Sequence, residues 1–379
     1  MKLPFLLFAA LFICPSIYAQ PAALTTGHLD HIDSATLEER RPLYIHLPDG
    51  YALSTNRYPV LYILDGEWHF RKVVGIVDHL SSSGLIPEMI VVGIPNTVRA
   101  GKPSRLADLA PAMTGAPENG AANFLQFITD ELIPFIENKH RTHPHRTIMG
   151  HSLGGLFAVY AMTERPNDFT GYLAISPSLG RNNQQEVHKA ASFLSSRSSL
   201  KKTLALVIGN EGGNTWIGTD ALVQVLKQSA PDDLAWVFNH MKDEDHVSIV
   251  HKGVYDALTF VFDGWQIDEA LLTDHDVSIV ERHYDALSSR LGFDIPVPEL
   301  YYTTLGYRIL AELEFDYAIW TFNQYKEAYP TSAEAHVGLA DVHLMQGNLE
   351  TAHQHYTDAL VLDKNNERAL WMSKSLSSH

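Results

Sequence analysis

Apolar residues between Arg41 and Trp265 fall into short runs, and stretches with helical spacing separate one run from the next. Each run is almost wholly apolar and rich in β-branched or aromatic residues, which is typical of strands buried on both faces of a parallel sheet. Helices are predicted at 124–139, 156–164 and 220–228. The predicted strands cover residues 41–48, 59–66, 88–96, 145–150, 171–176, 204–209 and 234–239. Alternating strands and helices predict an α/β fold with helices on both faces of a mostly parallel sheet.

The pattern after Trp265 is helical, with a helix predicted at 276–291 and a turn-prone stretch at 292–298. Residues 299–332 then align with residues 333–366 at an offset of 34. Matching positions carry the same or similar side chains: Leu305 and Leu339, Gly306 and Ala340, Ala318 and Ala352, Phe322 and Tyr356. A period of this length resembles tetratricopeptide repeats, in which small residues let paired helices approach and aromatic rings fill the gap. The alternative interpretation is two unrelated helical hairpins of similar length.

The first twenty residues have the layout of a secretory signal, with Lys2 before an apolar run and Ala19 at the expected cleavage point. A lipoprotein signal ending at Cys14 is the rival interpretation, although Ile13 is bulky where such sites carry a small residue. We therefore expect an exported protein, either periplasmic or secreted. No later stretch approaches 18 apolar residues, so no membrane span is expected in the mature chain. Cys14 is the sole cysteine, which excludes a disulfide framework.

The 379 residues are enough for two folded units. The predicted domains are a signal peptide at 1–20, an α/β domain at 21–265, a helical linker at 266–298 and, at 299–379, two repeats with a final capping helix. The net charge of −16 excludes nucleic acid as a general partner. The first helices of the repeats carry apolar side chains that need cover: Leu300, Leu310, Val337 and Leu344. Two parts of the chain could cover them, namely the α/β domain and helix 276–291. A second copy in a homodimer, or a peptide or protein partner, could also bind through 299–379 and cover them.

A candidate nucleophile lies between the strand and the helix that flank residue 152. Gly150, Ser152 and Gly154 form the pattern G-x-S-x-G, in which a serine projects from a strained turn between a strand and a helix. Glycine is needed on both sides because a Cβ would collide with the neighbouring backbone. The alternative is a tight Gly-Ser turn without chemistry, but the strand and helix on either side favour the nucleophile.

A serine nucleophile needs a general base, and that base needs an acid to orient it; α/β-hydrolases carry them in the chain order serine, acid, histidine. Glu211 follows the strand 204–209, and His246 lies in a polar loop after the strand 234–239. Both positions are at the carboxyl ends of strands, where open parallel sheets carry their sites. Other histidines near these strands are His151, His240 and His251. For the acid, Asp243, Asp245 and a Ser–His dyad oriented by a backbone carbonyl remain alternatives.

Five motifs carry a family resemblance: YPVLYILDGEWHF (58–70), VVGIPNT (91–97), GHSLGG (150–155), GNEG (209–212) and DEDHVS (243–248). Residues 43–265 resemble the esterase D family of α/β-hydrolases, which includes enterochelin-type siderophore esterases, S-formylglutathione hydrolases and mycolyltransferases. The resemblance implies an oxyanion hole formed by the backbone N–H groups of Glu67 and Leu153. Trp68 and His69 are expected to line the substrate pocket, and Arg105 is a candidate for binding an anionic group of the substrate.

These patterns predict an exported serine hydrolase that cleaves a small-molecule carboxylic ester through an acyl-enzyme on Ser152, with His246 as base and Glu211 as orienting acid. A siderophore trilactone esterase and an acyltransferase on the same fold remain alternatives. A different class is a repeat-mediated interaction protein with a degenerate hydrolase domain. Neither a metal nor an organic cofactor is expected, because the sequence lacks HExxH, a clustered Cys/His set and a Gly-rich dinucleotide fingerprint.

Overall fold

The computed structural model describes residues 25–99, 101–111, 119–267 and 277–377, so the predicted signal at 1–20 lies outside the described residues. Within these ranges, eight strands form one sheet in the order β1-β2-β4-β3-β7-β8-β9-β10. The strands of this sheet are β1 His28–Ser34, β2 Glu39–His46, β3 Tyr58–Leu64, β4 Ile90–Ile94, β7 Thr142–His151, β8 Gly171–Ile175, β9 Thr203–Gly209 and β10 Ala235–Met241. A separate two-stranded ribbon joins β5 Val98–Arg99 to β6 Lys102–Pro103.

The mostly parallel α/β sheet is confirmed. In the eight-stranded sheet, the neighbours β4, β3, β7, β8, β9 and β10 pair in parallel, whereas β2 pairs antiparallel with both β1 and β4. The seven predicted strands correspond to β2, β3, β4, β7, β8, β9 and β10. Strand β1 was not predicted from the sequence, because this edge strand reads HLDHIDS and alternates polar with apolar residues instead of forming an apolar run.

Helices cover both faces of the sheet. Tyr62 and Leu64 of β3 lie in one core and Leu61 and Ile63 in the other, because successive side chains of a strand point to opposite faces. The first core contains residues of α3 to α7, and the second contains residues of α1 and α8. The helices of this region are α1 Gly66–Ser82, α2 Arg105–Leu109, α3 Gly120–Gln126, α4 Ile133–Lys139, α5 Leu153–Glu164, α6 Gln185–Ser195, α7 Gly213–Ser229 and α8 Ile249–Val261.

The helix predicted at 124–139 is not a continuous α-helix. A π-helical stretch, Phe127–Leu132, separates α3 from α4. Pro134 has no N–H to donate to the carbonyl four residues earlier, which favours a change of hydrogen-bond register before it. Two other helices begin before their predicted positions, α5 at Leu153 and α7 at Gly213, because glycine and polar residues in the first turns hide the apolar periodicity.

The tail consists of helices, as predicted. Two helical hairpins, α10–α11 and α12–α13, follow a single helix α9, and α14 comes last. The bounds are α9 Val277–Leu291, α10 Glu299–Ala311, α11 Phe315–Ala328, α12 Ala333–Met345, α13 Leu349–Leu362 and α14 Glu367–Leu376. A Cβ on Gly306 or Gly338 would lie 2.5 or 2.2 Å from the ring of Phe322, so the two glycines let α10 and α12 approach that ring. Such packing fits repeated hairpins, and their assignment as tetratricopeptide repeats stays a prediction.

The tail packs on the hydrolase region. Tyr284 of α9 and Leu305 of α10 belong to the same buried cluster as the residues of α1 and α8. His145 of β7 adds a polar contact, since its Nδ1 lies 2.9 Å from the carbonyl oxygen of Leu291. Within the described ranges, no helix has the length and apolar composition that crossing a membrane requires.

Four apolar side chains on the first helices of the repeats were expected to pack against other residues. Three of them are wholly or partly buried by other parts of the same chain. Leu310 and Val337 are buried, and Leu344 is half-buried against the core of the second hairpin. Leu300 is 75% exposed in the single chain, and its cover by a second copy or a partner stays a prediction. Leu300 precedes the buried Tyr301, and the rotation of about 100° per residue in an α-helix directs it away from the core.

Candidate active site

Ser152 occupies a strained turn between β7 and α5. Its φ of 60° and ψ of −114° lie outside the helical region, and positive φ is costly for a residue with a Cβ. The turn is held by two backbone hydrogen bonds: the Ser152 N–H donates to Ile175 O at 2.9 Å, and the Ser178 N–H donates to Ser152 O at 3.0 Å. A Cβ on Gly150 would lie 2.0 Å from the carbonyl oxygen of Gly154, so this position requires glycine. Strain of this kind is retained mainly at functional sites.

Ser152, His246 and Glu211 form a continuous chain of hydrogen bonds. The Ser152 hydroxyl lies 3.0 Å from Nε2 of His246, and Nδ1 of His246 lies 2.6 Å from Oε2 of Glu211. A carboxylate only accepts, so Nδ1 carries the proton and the lone pair of Nε2 faces the hydroxyl. Glu211 follows β9 and His246 follows β10, so the carboxyl ends of neighbouring strands bring the three side chains together.

The other candidates for acid and base lie elsewhere. Asp243 is exposed, and Oδ1 of Asp245 accepts the N–H groups of Val247 and Ser248. The ring of His240 lies 4.6 Å from that of Trp216, and His251 is an exposed residue of α8. Of the carboxylates considered from the sequence, Glu211 is the one that bonds to His246.

Two serines that were not predicted from the sequence contact the two ends of the hydrogen-bond chain formed by Ser152, His246 and Glu211. The buried Ser176 donates its hydroxyl proton to Oε1 of Glu211, which leaves Oε2 for His246. The hydroxyl of Ser178 lies 3.2 Å from that of Ser152. Both serines directly follow β8 on the carboxyl side, so their position after a predicted strand was the signal that could have identified them.

His151 positions the loop that carries His246. Its Nε2–H donates to the backbone carbonyl of His246 at 2.6 Å, and the two rings lie 4.7 Å apart. Burial is the largest cause that lowers the pKa of His151, to about 4, so the ring is neutral at neutral pH. His151 was weighed from the sequence as a rival base and favoured as a packing residue, and its contact with the backbone of His246 agrees with the packing role.

The N-termini of α1 and α5 adjoin at the site. A Cβ on Gly154 would lie 3.4 Å from a carboxylate oxygen of Asp65, the residue before α1. Leu153 is the first residue of α5 and Glu67 the second residue of α1. The first N–H groups of a helix have no intrahelical acceptor, and helix N-termini favour negative charge. Both predicted oxyanion donors therefore lie where such donors are available.

The predicted pocket residues on α1 have different surroundings. The side chain of Glu67 faces Asn96, because its carboxylate oxygens accept the backbone N–H and the side-chain amide at 3.0 and 2.9 Å. Trp68 is 55% exposed and lies on the surface. His69 is buried, with its ring 5.3 Å from that of His151, and desolvation lowers its pKa to about 4.

Arg105 is engaged inside the protein. Its Nε and one terminal nitrogen donate to the two carboxylate oxygens of the buried Asp65 at 2.7 and 2.8 Å. The guanidinium also lies 5.3 Å from the ring of Trp68. Asp65 additionally accepts the side-chain amide of Asn96 at 2.7 Å. These contacts pair Arg105 within the protein and hold Asp65, the residue before α1, in place.

A second buried network holds the helix that begins at Arg105. The side chain of Arg41 is almost fully buried, and its guanidinium lies 2.7 Å from Glu39 and 2.8 Å from Asp108 of α2. The same guanidinium lies 4.7 Å from the ring centre of Phe124. A buried cation with two carboxylate partners is costly to disturb, because removing one partner leaves an uncompensated charge. The network therefore holds α2 in a defined position.

Residues 34–249 match the model of a family described as putative esterases. This match spans more than half of the chain. The chain belongs to this esterase family. The predicted resemblance to the α/β-hydrolase esterases is thereby confirmed, and the matched range contains Ser152, Glu211 and His246.

Named relatives of this chain include two proteins that are themselves described as esterases. A siderophore enterobactin esterase of Emericella nidulans is 36% identical over 141 residues, covering 32% of this chain and 46% of the relative. The ferri-bacillibactin esterase BesA of Bacillus subtilis is 32% identical over 155 residues, covering 36% of this chain and 54% of the relative. The esterase chain thus spans about half the length of these two curated relatives.

A solved structure extends the similarity beyond the family match. The crystal structure of an IroE-like serine hydrolase from Shewanella oneidensis is 28% identical, with a TM-score of 0.67. The similarity covers 79% of this esterase and 99% of that chain. It supports the α/β fold described above.

Proposed function

We propose that this esterase hydrolyses carboxylic esters through an acyl-enzyme on Ser152. The observation that carries the proposal is the hydrogen-bond chain from Ser152 through His246 to Glu211 beside two helix N-termini. In the first step the Ser152 oxygen attacks the ester carbonyl while Nε2 of His246 takes its proton. Glu211 holds the ring in the correct tautomer and stabilises the imidazolium that forms.

The backbone N–H groups of Leu153 and Glu67 would bind the oxyanion of the tetrahedral intermediate. Hydrogen bonds at this position contribute about 3–4 kcal/mol each to lowering the barrier in other serine hydrolases. When the intermediate collapses, the alcohol leaves with the proton from Nε2 of His246. Water then attacks the acyl-enzyme with His246 as base again, and the acid is released.

For the substrate, we propose an ester of the siderophore class. The support is that one relative is described as a siderophore enterobactin esterase and another as a ferri-bacillibactin esterase. An acyltransferase would use the same acyl-enzyme with an alcohol in place of water, so fold and triad are common to both reactions. A substrate panel of p-nitrophenyl esters, a feruloyl ester and a ferric catecholate trilactone identifies the preferred ester, and product analysis with an added alcohol acceptor separates hydrolysis from acyl transfer.

We also propose that the chain is exported, on the support of the signal-like pattern at residues 1–20. Sequencing the N-terminus of protein isolated from the cell envelope tests this. A mature N-terminus near residue 20 is the expected result, and an intact Met1 in that fraction would contradict it.

The chemical proposal is tested with a fluorophosphonate probe on purified protein. Wild type should be labelled on the peptide that contains Ser152, and Ser152→Ala should lose both labelling and ester turnover while its unfolding curve stays unchanged. Ser178→Ala is the matched control, because it removes the neighbouring hydroxyl and leaves Ser152 in place. Labelling that persists in Ser152→Ala contradicts the assigned nucleophile. An unlabelled, inactive wild type would favour the degenerate-hydrolase alternative.

A further inference from the structure

The second hairpin of the tail contains a cluster of candidate metal ligands. His336 lies on α12, and His355 and Asp358 lie on α13. Each offers one ligand atom, and these atoms all lie within 4.8 Å of one another. His355 and Asp358 are three residues apart on one helix, a spacing that places them on a common face. The cluster lies outside the esterase family match and has no part in the chemistry proposed for Ser152.

Ring nitrogens of this cluster lack partners. The Nδ1 atoms of His336 and His355 are buried, and neither has a hydrogen-bond partner among the described residues. Oδ1 of Asp358 accepts the side-chain amide of Gln354 at 2.9 Å. The other carboxylate oxygen of Asp358, Oδ2, lies 3.8 Å from Nδ1 of His336, which is beyond hydrogen-bond distance. This oxygen is the one that Asp358 can offer to a metal. Buried polar atoms are almost always bonded in native proteins, and an absent ion is one explanation for atoms that are not.

We propose that His336, His355 and Asp358 bind a divalent transition-metal ion of the Zn²⁺ class. Two imidazoles with one carboxylate suit Zn²⁺, whereas Mg²⁺ and Ca²⁺ prefer sites made of oxygen ligands. Ligand bonds of about 2.1 Å in a tetrahedral site place the ligand atoms about 3.4 Å apart. The ligand atoms lie within 4.8 Å of one another, so the most distant pair would have to approach by at most about 1.4 Å when the metal binds. Rotation of the side chains is enough for a movement of this size. Solvent would take the fourth position.

The charges around the cluster are compatible with a bound cation. Burial is the largest cause that lowers the pKa of both His336 and His355, which favours the neutral ring that offers one lone-pair nitrogen to a metal. Asp358 is the carboxylate that faces both rings, and Lys326 of α11 is the cation that opposes the incoming metal. His343 of α12 stacks on His355 at 5.6 Å.

A bound ion would connect α12 to α13. The sequence has its single cysteine at position 14, so a disulfide cannot perform this task in the tail. Metal binding to the folded state alone stabilises that state by mass action. Zn²⁺ should therefore raise the melting temperature of the tail, and a chelator should reverse the change.

The test is a titration of the untagged full chain with Zn²⁺ by calorimetry, repeated with Co²⁺ and visible absorption as a report of tetrahedral coordination. Wild type should bind one saturable equivalent. His336→Gln and Asp358→Asn should each weaken binding at least tenfold and abolish the tetrahedral Co²⁺ spectrum. The matched control is His353→Gln, which removes a histidine of α13 whose Nε2 already bonds to Ser377 at 2.9 Å, and it should bind as wild type does.

Two results overturn the proposal: a wild type without a saturable equivalent, and binding that His336→Gln leaves unchanged. The sequence contains 20 histidines, so the comparison among variants, and not binding alone, identifies the site. Circular dichroism without metal checks that each variant folds. Asp358→Asn keeps an acceptor for Gln354, so it gives the same comparison if His336→Gln fails to fold.

Discussion

Replacing Glu211 with glutamine tests the electrostatic part of the proposed mechanism. The substitution keeps the size of the side chain and an oxygen that can accept the Nδ1–H of His246. It removes the negative charge that lies 2.6 Å from that nitrogen. The charge matters most when His246 becomes an imidazolium, because the ground-state ring is neutral. The loss should therefore fall on kcat more than on KM.

The magnitude follows from the geometry. An Nδ1–Oε2 distance of 2.6 Å puts the centres of the two charges about 4 Å apart, where an effective dielectric constant of 20 gives an interaction of about 4 kcal/mol. Solvent reduces this value, since the side chain of His246 is 38% exposed. An increase in the barrier of about 2–4 kcal/mol corresponds to a loss of about 30-fold to 1,000-fold in kcat. His246→Ala should cost more, because it removes the base itself.

Steady-state kinetics on a p-nitrophenyl ester measure the effect. Asp243→Asn is the matched control, because it neutralises an exposed carboxylate in the loop of His246 and should change kcat less than twofold. A silent Glu211→Gln together with a severe Asp243→Asn would refute the assignment of the acid. If neither substitution nor Asp245→Asn has an effect, a Ser–His dyad is the better description.

Three further predictions concern stability. Burial lowers the pKa of His145 in the folded state to about 4. Below about pH 6.5 the unfolded chain therefore binds a proton at His145 that the folded chain does not bind. The free energy of unfolding should fall by about 2 kcal/mol between pH 7 and 5 because of this residue, and in urea unfolding the stability of His145→Gln should depend less steeply on pH. Gly338→Ala places a Cβ 2.2 Å from Phe322 and should destabilise by about 1–3 kcal/mol. The control Gly75→Ala meets nothing within 4 Å and should not lower the melting temperature. Truncation before Glu299 should lower the melting temperature but preserve kcat on small esters; lost kcat with unchanged melting would mean that the tail takes part in substrate binding.

Local patterns were sufficient for most of the fold. Seven strands of the sheet were predicted because each contains a short run of apolar residues. The edge strand β1 was missed because one face meets solvent and its pattern alternates. The interruption of the helix at Phe127–Leu132 was also missed, since apolar periodicity does not report a change in hydrogen-bond register.

The site was predictable where one short segment defines it. The turn at Ser152 follows from its flanking glycines, and the chain order of serine, acid and histidine selected Glu211 and His246 as candidates. The roles of Ser176 and Ser178 were not predicted, because a serine after a strand is common and the partner of each follows a different strand.

The sequence by itself determined the alternation of strands and helices, the turn around Ser152 and the 34-residue period of the tail. The tertiary structure decided which acid meets His246, that Arg105 pairs with Asp65, and that His336 lies beside His355 and Asp358. The physical reason is the same in each case. Strands, helices and tight turns depend on neighbours within a few residues, whereas these contacts join side chains from separate elements. Their distances depend on how the elements pack.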